Sequence, residues 1–172
     1  QGLVVLPTRE LAKQVAQELS HAAAKRTVRI VELYGGRAYE PQQEALAEGA
    51  EIVVGTPGRL IDLLRHRTLD LGRARTVVLD EADEMLDLGF LEDVERILAV
   101  TPPTRHTMLF SATMPGPVVA MARRYMSKPT HIRASDPADT GATVKATRQL
   151  VYRCHVLNKS EVVARILQAR DR

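Results

Sequence analysis

The stretch Arg75-Thr76-Val77-Val78-Leu79-Asp80-Glu81-Ala82-Asp83 joins a short apolar run to a cluster of acids. Its β-branched half has no polar face, which is the pattern of a strand covered on both sides in a parallel sheet. Its acidic half is delivered at the carboxyl end of that strand, the edge of an open α/β sheet where ligands bind. An acid there can hold a magnesium ion through water, and a neighbouring carboxylate can orient water for attack on a phosphate. The same acids also suit a helix N-terminus, whose dipole favours negative charge. On this stretch alone both readings stand.

Outward from it, similar runs recur at Leu3-Val4-Val5-Leu6, Val28 to Leu33, Glu51 to Val54 and Thr107 to Phe110. Helical patterns separate them. Leu11, Val15 and Leu19 fall four apart, with Ala12 and Ala16 beside them. Pro41 to Leu46 has a proline near its start and Gly49 past its end, as helices favour. Pro57 to Leu64, Leu91 to Leu98 and Pro117 to Met126 give further helices. Strand and helix in alternation predict an α/β doubly wound domain with a mainly parallel sheet and helices on both faces. A last short strand is expected near Thr130 to Arg133, then a linker over 134–147, rich in Ala, Asp, Thr and Gly. Arg148 to Val156 reads as a strand and Asn158 to Arg170 as a helix with Val162, Val163, Ile166 and Leu167 on its apolar side. This pair cannot bury its own face, so it reads as the start of a second domain over 148–172, after a first over 1–133.

The 172 residues are 45% hydrophobic and 26% charged, ordinary for a globular domain with one sizeable core. No apolar run reaches the roughly 18 residues that span a bilayer, and no secretory signal is evident, so a cytoplasmic location is expected. Cys154 is the single cysteine, which excludes an internal disulfide and a thiolate metal cluster. The net charge of +3 gives little support for a polyanionic partner, although 19 arginines against 5 lysines suit phosphate recognition. With no Trp, 4 Tyr and 2 Phe, stacking platforms are scarce, and any nucleic acid is expected to be held by its backbone.

Asp80-Glu81-Ala82-Asp83 resembles the name-giving motif of the DEAD-box helicases. Pro7-Thr8-Arg9-Glu10-Leu11-Ala12 is similar to that family's motif Ia, Gly35-Gly36 to its paired glycines, Thr56-Pro57-Gly58-Arg59 to motif Ib, and Ser111-Ala112-Thr113 to motif III, all in the family's order. The resemblance spans nearly the whole chain. It implies a RecA-like fold and an ATP-dependent enzyme that binds RNA and locally separates duplexes. By it, Asp80 holds magnesium through water, Glu81 positions and activates the attacking water, Asp83 contacts motif III and the second domain, and Ser111 and Thr113 couple the nucleotide to RNA. Thr8, Arg9, Gly35, Gly36, Thr56, Gly58 and Arg59 are then the residues for the RNA backbone.

Each motif also has a plainer reading. Arg9 follows a strand at a helix start, where it and the helix amides can take a phosphate or simply face solvent. Gly35-Gly36 allows close backbone approach or makes a turn. Thr56 and Pro57 fit as a helix cap and first residue, which leaves Arg59 without a structural task. Ser111 and Thr113 can cap the next helix or bond to Asp83.

The chain departs from the family in containing no Gly-x-x-x-x-Gly-Lys-Ser/Thr loop and no adenine-reading motif. Both are expected before Gln1, so the domain is expected to be incomplete at its N-terminus, with a gap or an open edge in the sheet. The parent is expected to hydrolyse ATP, and this stretch alone is not. Two other readings stay open: an RNA-binding remnant without catalysis, and a DNA-directed helicase of the same superfamily.

Overall fold

A computed structural model of the chain describes residues 1–133 and 150–169. Five strands, β1 (Gly2–Val5), β2 (Ile30–Leu33), β3 (Ile52–Gly55), β4 (Thr76–Leu79) and β5 (His106–Leu109), form one sheet in the order β2-β3-β1-β4-β5. All four pairings are parallel. Between and after the strands lie α1 (Arg9–Ala22), α2 (Glu40–Ala47), α3 (Pro57–Arg65), α4 (Ala82–Asp87), α5 (Leu91–Ala99) and α6 (Gly116–Tyr125).

Register is what makes this sheet a scaffold. Val5 lies opposite both Gly55 and Leu79, Leu33 opposite Gly55, and Leu79 opposite Leu109. The carboxyl ends of all five strands are therefore level, and the segments that leave them emerge along one edge. Backbone bonds carry the ladder just past those ends: Leu6 donates to Gly55 O, Thr56 to Leu33 O, Asp80 to Val5 O and Phe110 to Leu79 O.

Both faces of the sheet are covered, unequally. Alternation sends Leu3 and Val5 to one face, where α3, α4, α5 and α6 bring Leu60, Leu63, Met85, Ile97, Leu98 and Met121 onto them. Leu6 and Val54 meet Ala12 and Ala16 of α1 on the other. Each fully buried Leu contributes roughly 1.5–3 kcal/mol, so this apolar pattern dominates the local energetics. Gly55 at the end of β3 has no room for a side chain, since a Cβ would lie 2.5 Å from Leu33 O and 3.0 Å from the Leu60 side chain.

Of the two outcomes expected for the sheet, a gap or an open edge, there is no internal gap; its edges are β2 and β5, and β5 is only partly buried. Other expectations are corrected. No strand forms at 130–133. Residues 150–155 have no regular structure and Val156–Asn158 is a 3-10 turn, so the described part of the expected strand over 148–156 is not one. A β-branched run becomes a strand only where a neighbour supplies its backbone bonds, and none of these residues pairs with a strand. The helix that follows does form, as α7 (Lys159–Gln168), with Val163, Ile166 and Leu167 exposed. Residues Gln1–Thr130 and His131–Arg172 are separate compact units. The linker expected over 134–147 lies outside the described residues.

Candidate functional site

The level strand exits bring the residues of three motifs into one cleft. Thr8, Arg9, Gly35, Thr56, Gly58 and Arg59 all line an open groove of about 530 Å3. Thr8 is the N-cap of α1, and its hydroxyl accepts from the Leu11 amide at 3.3 Å. Thr56 occupies the same position on α3, yet its hydroxyl makes no capping bond, contrary to expectation. Pro57 presets the helix start there, and Thr56 lines the cleft.

Arg9 and Arg59 reach this cleft in different states. Arg9 is exposed and donates from Nε to the exposed Glu10 carboxylate at 2.6 Å. That pair raises the Arg9 guanidinium pKa and lowers that of Glu10, each mainly through their mutual hydrogen bond. Surface pairs of this kind bind weakly in water, so an anion can displace Glu10. Gly36 sits beside them at φ +77, where a Cβ would come within 3.1 Å of Arg9 Nη1. A side chain there is both strained and in the way of the arginine.

Arg59 is only 7% exposed. Its Nη2 donates to the Arg37 carbonyl at 2.9 Å, and its guanidinium lies 4.0 Å from the centre of the Tyr39 ring. Tyr39 in turn donates its hydroxyl to Asp62 at 2.8 Å, a bond that holds the phenol above its ordinary pKa. Sequence reasoning missed Tyr39 and Asp62. Their positions, 23 residues apart on different elements, carry no local signal.

The acidic group stands at the end of β4. Asp80 continues the strand, and its Oδ1 accepts from the Glu81 amide at 3.0 Å. Glu81 then turns the chain into α4 through a left-handed conformation, φ 53 and ψ 52. A non-glycine residue rarely adopts this state, and such strain gathers at functional sites. The helix it starts carries Asp83 and Glu84 in its first turn, the helix N-terminus that these acids also suited, although six residues are too few for a periodic signal.

Asp83 ties β4 to the segment after β5. Its Oδ2 accepts from the Thr113 hydroxyl at 2.7 Å and the Thr113 amide at 2.8 Å. Its own amide donates to Ser111 Oγ at 3.1 Å, and that hydroxyl donates to Thr113 O at 2.6 Å. Of the two tasks the sequence allowed Ser111 and Thr113, the structure shows the bond to Asp83; α6 has no side-chain cap. Asp83 Oδ1 is buried with no hydrogen-bond partner.

Burial pushes the Asp83 carboxyl up, but the Thr113 hydroxyl and amide bonds, with the Ser111 hydroxyl close by, outweigh it and lower the pKa from 3.8 to about 2. A depressed folded value means the contact stabilises the fold above the ordinary pKa and is lost as pH falls from about 4 through about 2. The link is therefore intact at neutral pH. Thr113→Val removes one of the donors and is expected to raise this pKa toward 3.8 in a carboxyl-carbon NMR titration. An unchanged midpoint would show that the hydroxyl does not hold the carboxylate.

A parallel sheet with an acidic motif at the end of β4 and, along the same edge, a cleft lined by Arg9 and Arg59 together with Glu10 and Asp62 defines a RecA-like α/β domain. Residues 1–122 match the DEAD/DEAH box helicase family, and the chain belongs to it. It is 45% identical over 172 residues to the ATP-dependent RNA helicase DeaD of Klebsiella pneumoniae, covering 99% of this chain and 26% of that protein. The DEAD-box ATP-dependent RNA helicase CshA of Geobacillus kaustophilus is 45% identical over 167 residues, covering 97% of this chain and 35% of that protein. Among solved structures, a DEAD box protein from Methanococcus jannaschii aligns with a TM-score of 0.77 at 37% identity, over 99% of this chain and 45% of that one. The yeast DEAD-box splicing factor Prp28 aligns with a TM-score of 0.71 at 36% identity, over 74% of this chain and 31% of that one. The chain thus spans about a quarter to a third of the length of the curated relatives it matches.

Proposed function

We propose that the whole protein is an ATP-dependent RNA helicase that holds single-stranded RNA by its backbone and couples that grip to ATP hydrolysis. The observation that carries this reading is the direct bond between Asp83, in the acidic motif, and Thr113, after β5. It connects an acid corner suited to nucleotide phosphates to the motif that the family uses for coupling.

The chain's own groups have the following tasks. Asp80 would hold a magnesium ion through water; in the structure its Oδ1 accepts from the Glu81 amide, which orients the carboxylate at the end of β4. When bound, the metal supplies neutralisation of phosphate charge. Glu81, which leaves the strand through a left-handed backbone, orients a water and accepts its proton as the water attacks the terminal phosphorus and the bond from that phosphorus to the bridging oxygen breaks, releasing ADP and phosphate. Asp83 transmits the state of this corner to Ser111 and Thr113. Thr8, Arg9, Gly35, Gly36, Thr56 and Gly58 bind phosphates of the strand, with helix amides assisting. Backbone contacts of this kind carry no sequence information. The reading also keeps a cytoplasmic location, which the lone cysteine suits.

Steady-state ATP turnover by the whole protein, with RNA or DNA of one sequence added, tests the proposal. RNA is expected to stimulate turnover, DNA is not, and Asp80→Asn is expected to abolish the response. Equal stimulation by DNA would move the protein to the DNA-directed branch. RNA binding without any turnover would make it a binding module.

A further inference from the structure

Among the described residues, the buried polar side chains are Gln42 at 5% exposure, Arg59 at 7% and Thr101 at 5%. Burying such groups is costly unless their hydrogen bonds are met, so what they bond to shows what they are for. Thr101 donates to Leu98 O just behind it and does no more than finish a helix end. Gln42 and Arg59 come from two different helices and converge on one loop.

Gln42, on α2, grips both ends of that loop. Its Oε1 accepts from the Tyr34 amide at 3.1 Å, and its Nε2 donates to Ala38 O at 2.9 Å and, at a longer 3.4 Å, to Tyr34 O. Arg59, on α3, holds the middle through the Arg37 carbonyl. Stacking on Tyr39 offsets the lost hydration of its Nε and Nη1, which are buried without hydrogen-bond partners. The segment so held is Gly35-Gly36-Arg37-Ala38. Adjacent glycines carry more backbone freedom than any other pair, so an unbraced loop would have to be ordered by its ligand, at the expense of affinity.

We propose that Gln42 and Arg59 are positioning residues that pre-set the Gly35–Ala38 loop for the RNA backbone, Arg59 acting through the Arg37 carbonyl instead of touching a phosphate. The proposal rests on the RNA reading above. It separates Arg59 from Arg9 although both line the same cleft. Salt dependence distinguishes the two roles. A lost arginine–phosphate contact flattens the salt slope by about 0.7, because counterions are no longer released. Loosening a loop that binds through neutral amides leaves the slope unchanged.

The experiment uses the whole protein with Gln42→Met, Arg59→Met, Arg59→Lys and, as a control remote from the loop, Thr101→Val. Two quantities are read: hydrogen exchange at the loop amides, and affinity for two unrelated single-stranded RNAs across a salt series. Gln42→Met and both Arg59 variants are expected to speed loop exchange about tenfold and to weaken both RNAs about tenfold, with unchanged slope. Lys is not expected to rescue, because it lacks the planar fork that stacks on Tyr39 while donating to Arg37 O. Thr101→Val should change neither quantity. Unchanged loop exchange in the folded variants overturns the positioning role. A slope flattened by about 0.7 in Arg59→Met, or full affinity in Arg59→Lys, overturns the indirect role of Arg59. Failure of the unaltered protein to bind RNA overturns the RNA reading, and with it the ligand half of the proposal, whereas the exchange data test the bracing separately.

Discussion

Glu81→Gln in the whole protein is expected to keep ATP binding while losing turnover by about 10²-fold or more, the range typical of removing a general base. The amide preserves the size of the side chain and its place at the corner after β4. It removes the charge that, in the proposed role, orients and deprotonates water. The backbone already commits this residue to an unusual conformation, φ 53, and the Gln variant leaves that unchanged, so a loss of rate reports on the carboxylate alone. Nucleotide affinity and steady-state phosphate release, measured together, check the expectation. Turnover near the unaltered rate would mean that Glu81 does not activate the water and that the site is misassigned.

Arg9→Ala is the second large effect. The guanidinium is exposed and, among the described residues, is ion-paired with its exposed neighbour Glu10, so a phosphate can replace that partner at little cost. Loss of one such contact is expected to weaken unrelated single-stranded RNAs by similar factors, about tenfold, and to flatten the salt slope by about 0.7. A base-specific contact would instead weaken some sequences and spare others. Salt titration of affinity on two unrelated oligonucleotides is the measurement. Unchanged affinity for both would take this end of the cleft out of the RNA path and leave Arg9 a solvated first-turn residue.

The sheet was legible because its strands are short runs dominated by β-branched and other apolar residues, although β2 carries Glu32 and β5 opens with His106 and Thr107. All five appear within about two residues of the expected positions. Register was not legible, and register is what levels the strand exits and gathers Thr8, Gly35 and Thr56 into one cleft. The acidic motif and Ser111-Ala112-Thr113 could be read as a possible pair, since a hydroxyl after a buried strand has few partners within reach. The runs near 130 and 150 misled because β-branched residues look the same with or without a neighbouring strand. The burial of Arg59 was not legible, since an arginine between a glycine and a leucine gives no hint that a tyrosine from another element lies under it. Gln42 left no trace at all in the sequence: its worth lies in three bonds to a loop formed after the chain has folded.

The left-handed backbone at Glu81 sets stability and chemistry against each other at one position. An L side chain there costs roughly 1–2 kcal/mol, which glycine avoids and asparagine partly avoids. Directed evolution scored only on heat resistance or yield would drift toward Gly or Asn at position 81 and discard the carboxylate on the way. A library scored on turnover would move back toward the acid, accepting a less stable domain. Screening this domain for robustness is therefore a screen against its proposed chemistry unless that one codon is held fixed.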